Sequence, residues 1–390
     1  MYTPCWSSMV TTTGPWPGRS ETDVIATSDD NAHGSKYDRS ILYPTETKFS
    51  DKLSTASLFH GGGSVTASVV ESQILCVFVQ PRVLRITFCE FWMALIELFC
   101  GIGGAAEAAR QLARADLVSA RAIDIDRDCG VVYQHNFGLA VDHQTIESID
   151  WGSLVEIGDD AWWMSPPCQP YCRRGRGDHE NDRRCDALLS LIAWLDNQPT
   201  TLPRAMVLEN VPQFASSSHR DRLCCSLERN GFRTSEVVLC PTQFGIPNRR
   251  RRYYLIASRT HEATVAAPHD TSLRFSVADV LDSPPPTQSP LWLAIEVASK
   301  YAGALDIVDA DDPLAMTACF ASGYGKSIIR SGSYLRHDGR LRRFSPDEVA
   351  RLLGYSAEFS FPLEIADRKR WKMLGNGLSI PVAKAVLDAV

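Results

Sequence analysis

The stretch ALIELFCGIGGAAEAAR (94–110) decides the fold. ALIELF (94–99) reads as a buried strand, and the alanine-rich run from Gly104 to Ala115 has the composition of a helix. Between them, Gly101, Gly103 and Gly104 let the backbone turn sharply and let a ligand come close to it, with a helix amino terminus facing that ligand. Gly101, Gly103 and Ala106 also satisfy the dinucleotide pattern G-x-G-x-x-G/A. The next strand, SARAIDI (119–125), brings Asp124 to its end. That is about 20 residues beyond the turn, where a carboxylate accepts hydrogen bonds from ribose hydroxyls. NAD and S-adenosylmethionine both carry such a ribose, so the pair points to a nucleoside cofactor without choosing between them.

Outward from this turn the α/β alternation continues. A helix is expected over 131–135, strands at 161–164, 205–209, 234–240 and 253–257, and helices at 185–196 and 219–230. The pattern predicts a parallel sheet with crossover helices, a catalytic and cofactor-binding domain over 93–258. Beyond Arg259 the alternation stops, and 259–340, with its PPPTQSP run, reads as a smaller second domain. Residues 341–390 end in SIPVAKAVLDAV (379–390), an amphipathic helix expected to return to the first sheet. Upstream, residues 1 to about 64 are rich in Ser, Thr, Gly, Asp and Pro and carry no sustained period, the composition of a disordered tail. Residues 72–92 are apolar, but Gln80, Pro81, Arg82, Arg85 and Glu90 interrupt them short of the ~20 apolar residues of a membrane span. With Met93 standing just before the first convincing strand, 1–92 reads as an extension outside the fold, disordered or an over-extended reading frame.

Composition sets further bounds. The 390 residues are 44% apolar with nine tryptophans, enough for a large core. A net charge of −6 argues against indiscriminate coating of nucleic acid, which rests on many cationic contacts. Basic clusters are local: Arg173, Arg174 and Arg176; Arg249 to Arg252; Arg336 to Arg343; Arg368 to Lys372. The twelve cysteines form no CxxC pair and no zinc-spaced cluster, so no metal is expected. Without a visible secretory signal they read as reduced thiols inside the cell, in cytoplasm or nucleus.

One cysteine stands apart. In WWMSPPCQPYC (162–172) an apolar strand end runs into Pro166 and Pro167, which stiffen the backbone and hold Cys168 on a loop at the carboxyl end of the sheet. Cys172, four residues on, has no evident role and is expected to be structural. LENVP (208–212) places Glu209 and Asn210 at another carboxyl end of the same sheet. PTQFGIPNRRRRYYLIA (241–257) sets four arginines before an apolar strand, with Arg250 and Arg252 sharing a face by strand alternation. RRFSPDEVARLLGY (342–355) and LGNGLSIPV (374–382) follow. Taken singly, a charge run is a solvated face and a strand-end carboxylate is a satisfied one. Their joint order makes coincidence a poor account.

From Ala94 to Val390 these motifs resemble the cytosine-5 methyltransferases: ELFCGIGG is similar to their cofactor turn, SPPCQPY to their nucleophile loop, LENV to their acid, NRRRR to their arginine motif and LGNGLSIPV to their closing motif. TIESI (145–149), GIPNRRRRYYLIA (245–257) and CFASGYGKSIIRSGSYL (319–335) bring the likeness nearest to the tRNA aspartate methyltransferase branch. The resemblance implies a Rossmann-like class I S-adenosylmethionine-dependent sheet with a smaller target-recognition domain. It implies Cys168, Glu209, Arg250 and Arg252 as catalytic residues. It implies cofactor contacts from Phe99, Gly101, Ile102, Gly103, Gly104, Asp124, Ile125, Ile146, Pro167 and Asn376. Substrate contacts would come from Gln169, Asn210, Cys319, Phe320, Gly323 and Tyr324, acting on a tRNA anticodon stem-loop as a monomer. Three positions depart from the family pattern: Ala321 stands where Thr is common, Gly377 where Ser is usual, and Asn248 where DNA enzymes often carry Gln.

The residue types also suit the chemistry directly. Cytosine C5 is a poor nucleophile until a nucleophile adds at C6 and makes an enamine, and a thiolate is strongly nucleophilic and leaves readily. A carboxyl of raised pKa can protonate or hydrogen-bond N3 as the thiolate adds. An arginine fork can hold the base carbonyl or its phosphate. A DNA cytosine-5 methyltransferase shares all of these residues. A cofactor-binding RNA scaffold that has lost catalysis is a further reading. An NAD dehydrogenase comes last, because nothing in it calls for PPCQ or LENV.

Overall fold

The computed structural model describes residues 93–390 except 113, 115, 156–159, 173–181 and 267–271 and, upstream of them, five strands: Thr47–Ser50, Leu53–His60 and Gly63–Val69, which pair antiparallel in one sheet, and Gln73–Gln80 and Val83–Glu90, which pair antiparallel in another. The remaining residues of 1–92 and the cluster Arg173, Arg174 and Arg176 lie outside the described residues.

A six-stranded sheet carries the molecule. Its strands are β1 (Met93–Leu98), β2 (Leu117–Ile123), β3 (Asp160–Met164), β4 (Ala205–Asn210), β5 (Arg233–Leu239) and, after the two-residue strand β6 (Asn248–Arg249), β7 (Arg252–Ser258). The spatial order is β5-β7-β4-β3-β1-β2. Between the strands run α1 (Gly104–Leu112), α2 (Arg127–Phe137), α3 (Asp186–Asp196) and α4 (Ser218–Arg229). The helix expected to reach Ala115 ends at Leu112, and the one expected from 131 begins at Arg127, because Asp126 caps it by accepting from the amides of Asp128 and Cys129.

The expectation of a parallel sheet fails at one strand. β1, β2, β3 and β4 pair in parallel, but β7 runs antiparallel to both β4 and β5. The cause is the connection: parallel neighbours need a crossover, usually a helix, whereas residues 240–251 hold a 3-10 turn at Pro241–Phe244 and return directly.

Both faces of the sheet are covered, which is why its inner strands are almost continuously apolar. Adjacent tryptophans show this. Trp162 faces one core and stacks 5.7 Å from Trp194 of α3, while Trp163 faces the other and lies edge-on to Tyr254, 6.3 Å away. Truncating either to alanine costs about 3–5 kcal/mol.

The second region is built on β8 (Asp306–Asp309), β9 (Thr317–Ala318), β10 (Ser333–His337) and β11 (Arg340–Arg343). β8, β10 and β11 form a small sheet, and β9 pairs with β6, stitching the arginine segment to the second region. β11 runs across residue 340, where the sequence places a boundary. The second region also holds the short helix α5 (Ile295–Lys300), and the chain ends in α6 (Pro346–Leu353), α7 (Asp367–Asn376) and α8 (Ile380–Asp388). α6 opens with a capping box at Ser345 and Glu348, and the buried Glu348 carboxylate also takes the Arg342 guanidinium at 2.7 Å. α8 packs on α1, where a Cβ added to Gly104 would sit 2.9 Å from Leu378. Among the described residues no helix is long and apolar enough to cross a membrane.

Candidate active site

The loops leaving β1, β2, β3 and β4 converge with the end of α7 on one cavity of about 320 Å³. One end of it is built by the glycine turn. Gly101 and Gly103 take φ values of 53° and 83°, which glycine adopts without strain, and Phe99 just before them takes 58° despite its side chain. Asp124, at the end of β2, ties the turn down: its carboxylate accepts from the amides of Gly101 and Asp126, each at 2.8 Å. Burial raises its pKa, and those two amides lower it. Beside it Ile125 is 68% exposed, an apolar face at the cavity mouth. A Cβ on Gly101 would meet nothing within 4 Å, so the turn leaves open space for a ligand to reach the backbone. Opposite stand Asn376 and Lys372 of α7, and the Lys372 ammonium donates to Asp126 at 3.0 Å. A carboxylate for ribose, an exposed aliphatic face and a bare backbone turn fit a nucleoside cofactor such as S-adenosylmethionine.

The other end holds the thiol. Pro167, Cys168 and Gln169 line the cavity, Cys168 capping a 3-10 turn at Gln169–Tyr171. The loop is anchored on three sides. The Ser165 amide donates to Leu98 O at 3.3 Å, the Asn210 amide group donates to Pro166 O at 3.4 Å, and the Tyr171 hydroxyl meets His219 Nδ1 at 2.9 Å. Glu209 is buried beside it with the Arg252 guanidinium 3.1 Å away. Burial raises the Glu209 carboxyl above its ordinary range, against the opposing pull of Arg252 and Arg250. The Cys168 thiol is also raised, first by its hydrogen bond with Cys172, 4.0 Å away, and then by burial. At rest it is a thiol, so its proton has to move before it can attack.

Arg250 lies between β6 and β7 and Arg252 opens β7; both line the cavity, but they do different work. Arg250 is 3% exposed and donates to the carbonyls of Phe320, Gly375 and Gly377 at 3.2, 3.1 and 2.5 Å. It clips the second region and the closing segment to the sheet. Both guanidiniums also reach Cys319 Sγ, at 3.4 and 3.9 Å, and against burial they hold that thiol below its ordinary pKa.

Several sequence-derived contacts fall elsewhere. Gly103 packs its open side against Phe137, and Ile146 is 3% exposed within the sheet core. Asn210 spends both amide ends internally, on Pro166 and on the Val211 amide. Phe320 and Tyr324 are core residues, their rings 4.9 Å apart, and the Tyr324 hydroxyl donates to Ser333 O at 2.6 Å. Gly323 sits in the turn before Ser327, and Cys319 lies behind the arginines. None of these seven lines the cavity; they support it. Conversely, Glu97, Asp126, Ser165 and Lys372 line it unforeseen. Glu97 had a signal, a charge inside the apolar run ALIELF. The Lys372–Asp126 contact had none, since it joins residues 246 apart.

Comparison with known proteins agrees with this geometry. The family profile of the C-5 cytosine-specific DNA methylases matches residues 93–289 and 312–390. A tRNA (cytosine(38)-C(5))-methyltransferase of Schizosaccharomyces pombe is 29% identical, over 76% of this chain and 96% of its own. The protein of that name from Homo sapiens is 28% identical, over 76% and 98%. The crystal structure of the S. pombe Dnmt2 methyltransferase superposes with a TM-score of 0.66 at 26% identity, covering 76% of this chain and 97% of that one. The chain belongs to the C-5 cytosine-specific methylase family.

Proposed function

We propose that the protein transfers a methyl group from S-adenosylmethionine to C5 of a cytosine in a tRNA anticodon loop, tRNA-Asp being the expected target, through a covalent Cys168 adduct at C6. One observation carries the reading: a nucleoside-shaped end and a thiol–carboxyl–guanidinium end share a single cavity. The names of the relatives favour tRNA over DNA. An exposed loop base enters such a pocket at little unstacking cost.

S-adenosylmethionine, once bound, supplies an electrophilic methyl group. Asp124, the Gly101 backbone and Asn376, which line the cavity, would hold it. Cys168 adds to C6 and makes C5 nucleophilic. Glu209, its proton affinity raised by burial, hydrogen-bonds N3 and draws electrons toward it as the thiolate adds. Arg252 orients Glu209 and offers its remaining donors to the base carbonyl. The preformed loop anchors hold Cys168 in place, so little ordering remains to be done when the base arrives.

The test is methylation by the purified protein of total tRNA against duplex DNA, read by bisulfite sequencing. A single methylated anticodon-loop cytosine is expected; transfer to DNA alone would overturn the proposal.

A further inference from the structure

Cys172 has no place in the chemistry so far. It is the residue that closes the 3-10 turn which Cys168 opens, its amide donating to Gln169 O at 3.4 Å. That single turn sets the two sulfurs 4.0 Å apart, within S–H···S hydrogen-bonding range. Cys168 faces the cavity, whereas Cys172 stands behind it and does not line it. A base on a nucleophile should occupy this position: in contact with the attacking atom and out of the substrate's way.

We propose that Cys172 is a catalytic thiol that takes the Cys168 proton when Cys168 attacks and returns it when Cys168 leaves. The inference rests on the methyltransferase reading for its substrate, though not for its thiol chemistry. In the forward step the Cys168 S–H bond breaks and the proton joins a lone pair of the Cys172 thiolate. The electron pair left on Cys168 sulfur forms the bond to C6 as the C5–C6 π bond breaks, and the electrons so released are those with which C5 bonds the methyl group. C5 then loses its proton to solvent, and the electrons of that C–H bond restore the C5–C6 double bond as the C–S bond breaks with its electrons on sulfur. Cys172 returns the proton to Cys168, leaving the pair as it began.

The charges around the pair favour this arrangement. Arg252 of β7 lies near both sulfurs, Arg184 of the turn before α3 lies near Cys172, and Glu209 of β4 lies near Cys168. Arg184 is held in place by Asp182 and by the Gln169 side chain. Cys172 is accordingly the more acidic of the two: the hydrogen bond with Cys168, then Arg252 and Arg184, hold it below the ordinary thiol range, while burial works against them. Glu209 is a poorer acceptor for this proton because it is already paired with Arg252.

The experiment is a pH series of pulse alkylation with iodoacetamide on the reduced full-length protein, site by site by peptide mass spectrometry. It compares wild type, Cys168→Ala, Cys172→Ala and Cys172→Ser, each checked for an unchanged melting temperature. In the wild type Cys172 should alkylate with a midpoint at least about one pH unit below the ordinary thiol value of about 8.5. In Cys168→Ala that midpoint should rise toward the ordinary value. Methyl transfer by Cys172→Ala at neutral pH should fall by about a hundredfold, recovering as pH rises, with Cys172→Ser no better. A Cys172 midpoint identical with and without Cys168, or a Cys172→Ala pH profile that matches wild type, would overturn the proposal. The alkylation arm needs no nucleic acid, so a wrong substrate assignment would leave its result intact.

Discussion

Replacing Arg250 with alanine separates the roles of two arginines that the sequence presents as a pair. Arg250 is buried and donates to three backbone carbonyls, those of Phe320, Gly375 and Gly377, each on a segment that returns to the sheet from elsewhere. A hydrogen bond to a charged donor contributes about 1.5–3 kcal/mol, so the three together contribute roughly 4–9 kcal/mol, less whatever water recovers on entering. We predict that Arg250→Ala loses about 4 kcal/mol or more in urea unfolding, a large share of the ~5–15 kcal/mol typical of a folded protein. Arg250→Lys keeps the charge but not the planar fork, and should lose about half as much. Arg252→Ala gives the opposite pattern. Its partner Glu209 already has a raised pKa and can take up a proton, so methyl transfer should fail with a smaller loss of stability. An Arg250→Ala protein that unfolds within about 1 kcal/mol of wild type yet has lost activity would refute the clip and place Arg250 against the substrate.

Two further outcomes follow from the same surroundings. Gly377→Ser should be tolerated or stabilising: φ is −71°, no atom lies closer than 3.3 Å to the added Cβ, and one at that distance is the buried Tyr355 hydroxyl, which has no hydrogen-bond partner among the described residues. A serine hydroxyl satisfying it adds about 1 kcal/mol, or about 2 °C in Tm, and a clear drop in Tm would count against it. Glu97 is buried, accepts from the Tyr133 hydroxyl at 2.5 Å, and has its pKa raised by burial to about 7 from 4.5. Because the folded-state value is the higher one, the stability it contributes is full below about pH 4.5 and is lost as pH rises through 7, about 3 kcal/mol in all. Urea unfolding of Glu97→Gln should show a flatter slope against pH than wild type between pH 5 and 8, and parallel slopes would refute the assignment.

Local features of the sequence carried the centre of this molecule, and features set by tertiary geometry were hidden. The turn from ALIELF into CGIGG is legible because strand, glycine run and helix each leave a short-range signal. So is Cys168, because two prolines and a preceding apolar strand fix where the thiol must stand. The direction of β7 is not, since it depends on how residues 240–251 return rather than on any period within the strand. Strand alternation predicts Arg250 and Arg252 on one face, but only the packing of Phe320 and Gly375 shows that one of them is a clip. The segment around Phe320 and Tyr324 is irregular, with no period to say which side chains turn inward, and both turn into the core. Cys172 is the sharpest case: a packing cysteine by sequence, it stands 4.0 Å from the nucleophile because the intervening residues wind into a single 3-10 turn.

The central claim, that Cys168 bonds to C6 of the target base, is most directly tested by trapping. Cytosine carrying fluorine at C5 cannot lose a proton there, so the adduct should persist when the protein is incubated with 5-fluorocytidine-containing tRNA and S-adenosylmethionine. The account predicts a complex stable to denaturing electrophoresis, with the nucleotide on Cys168 in the peptide mass spectrum and no complex from Cys168→Ala. An adduct mapped to another residue, or methyl transfer by Cys168→Ala at the wild-type rate, would contradict it.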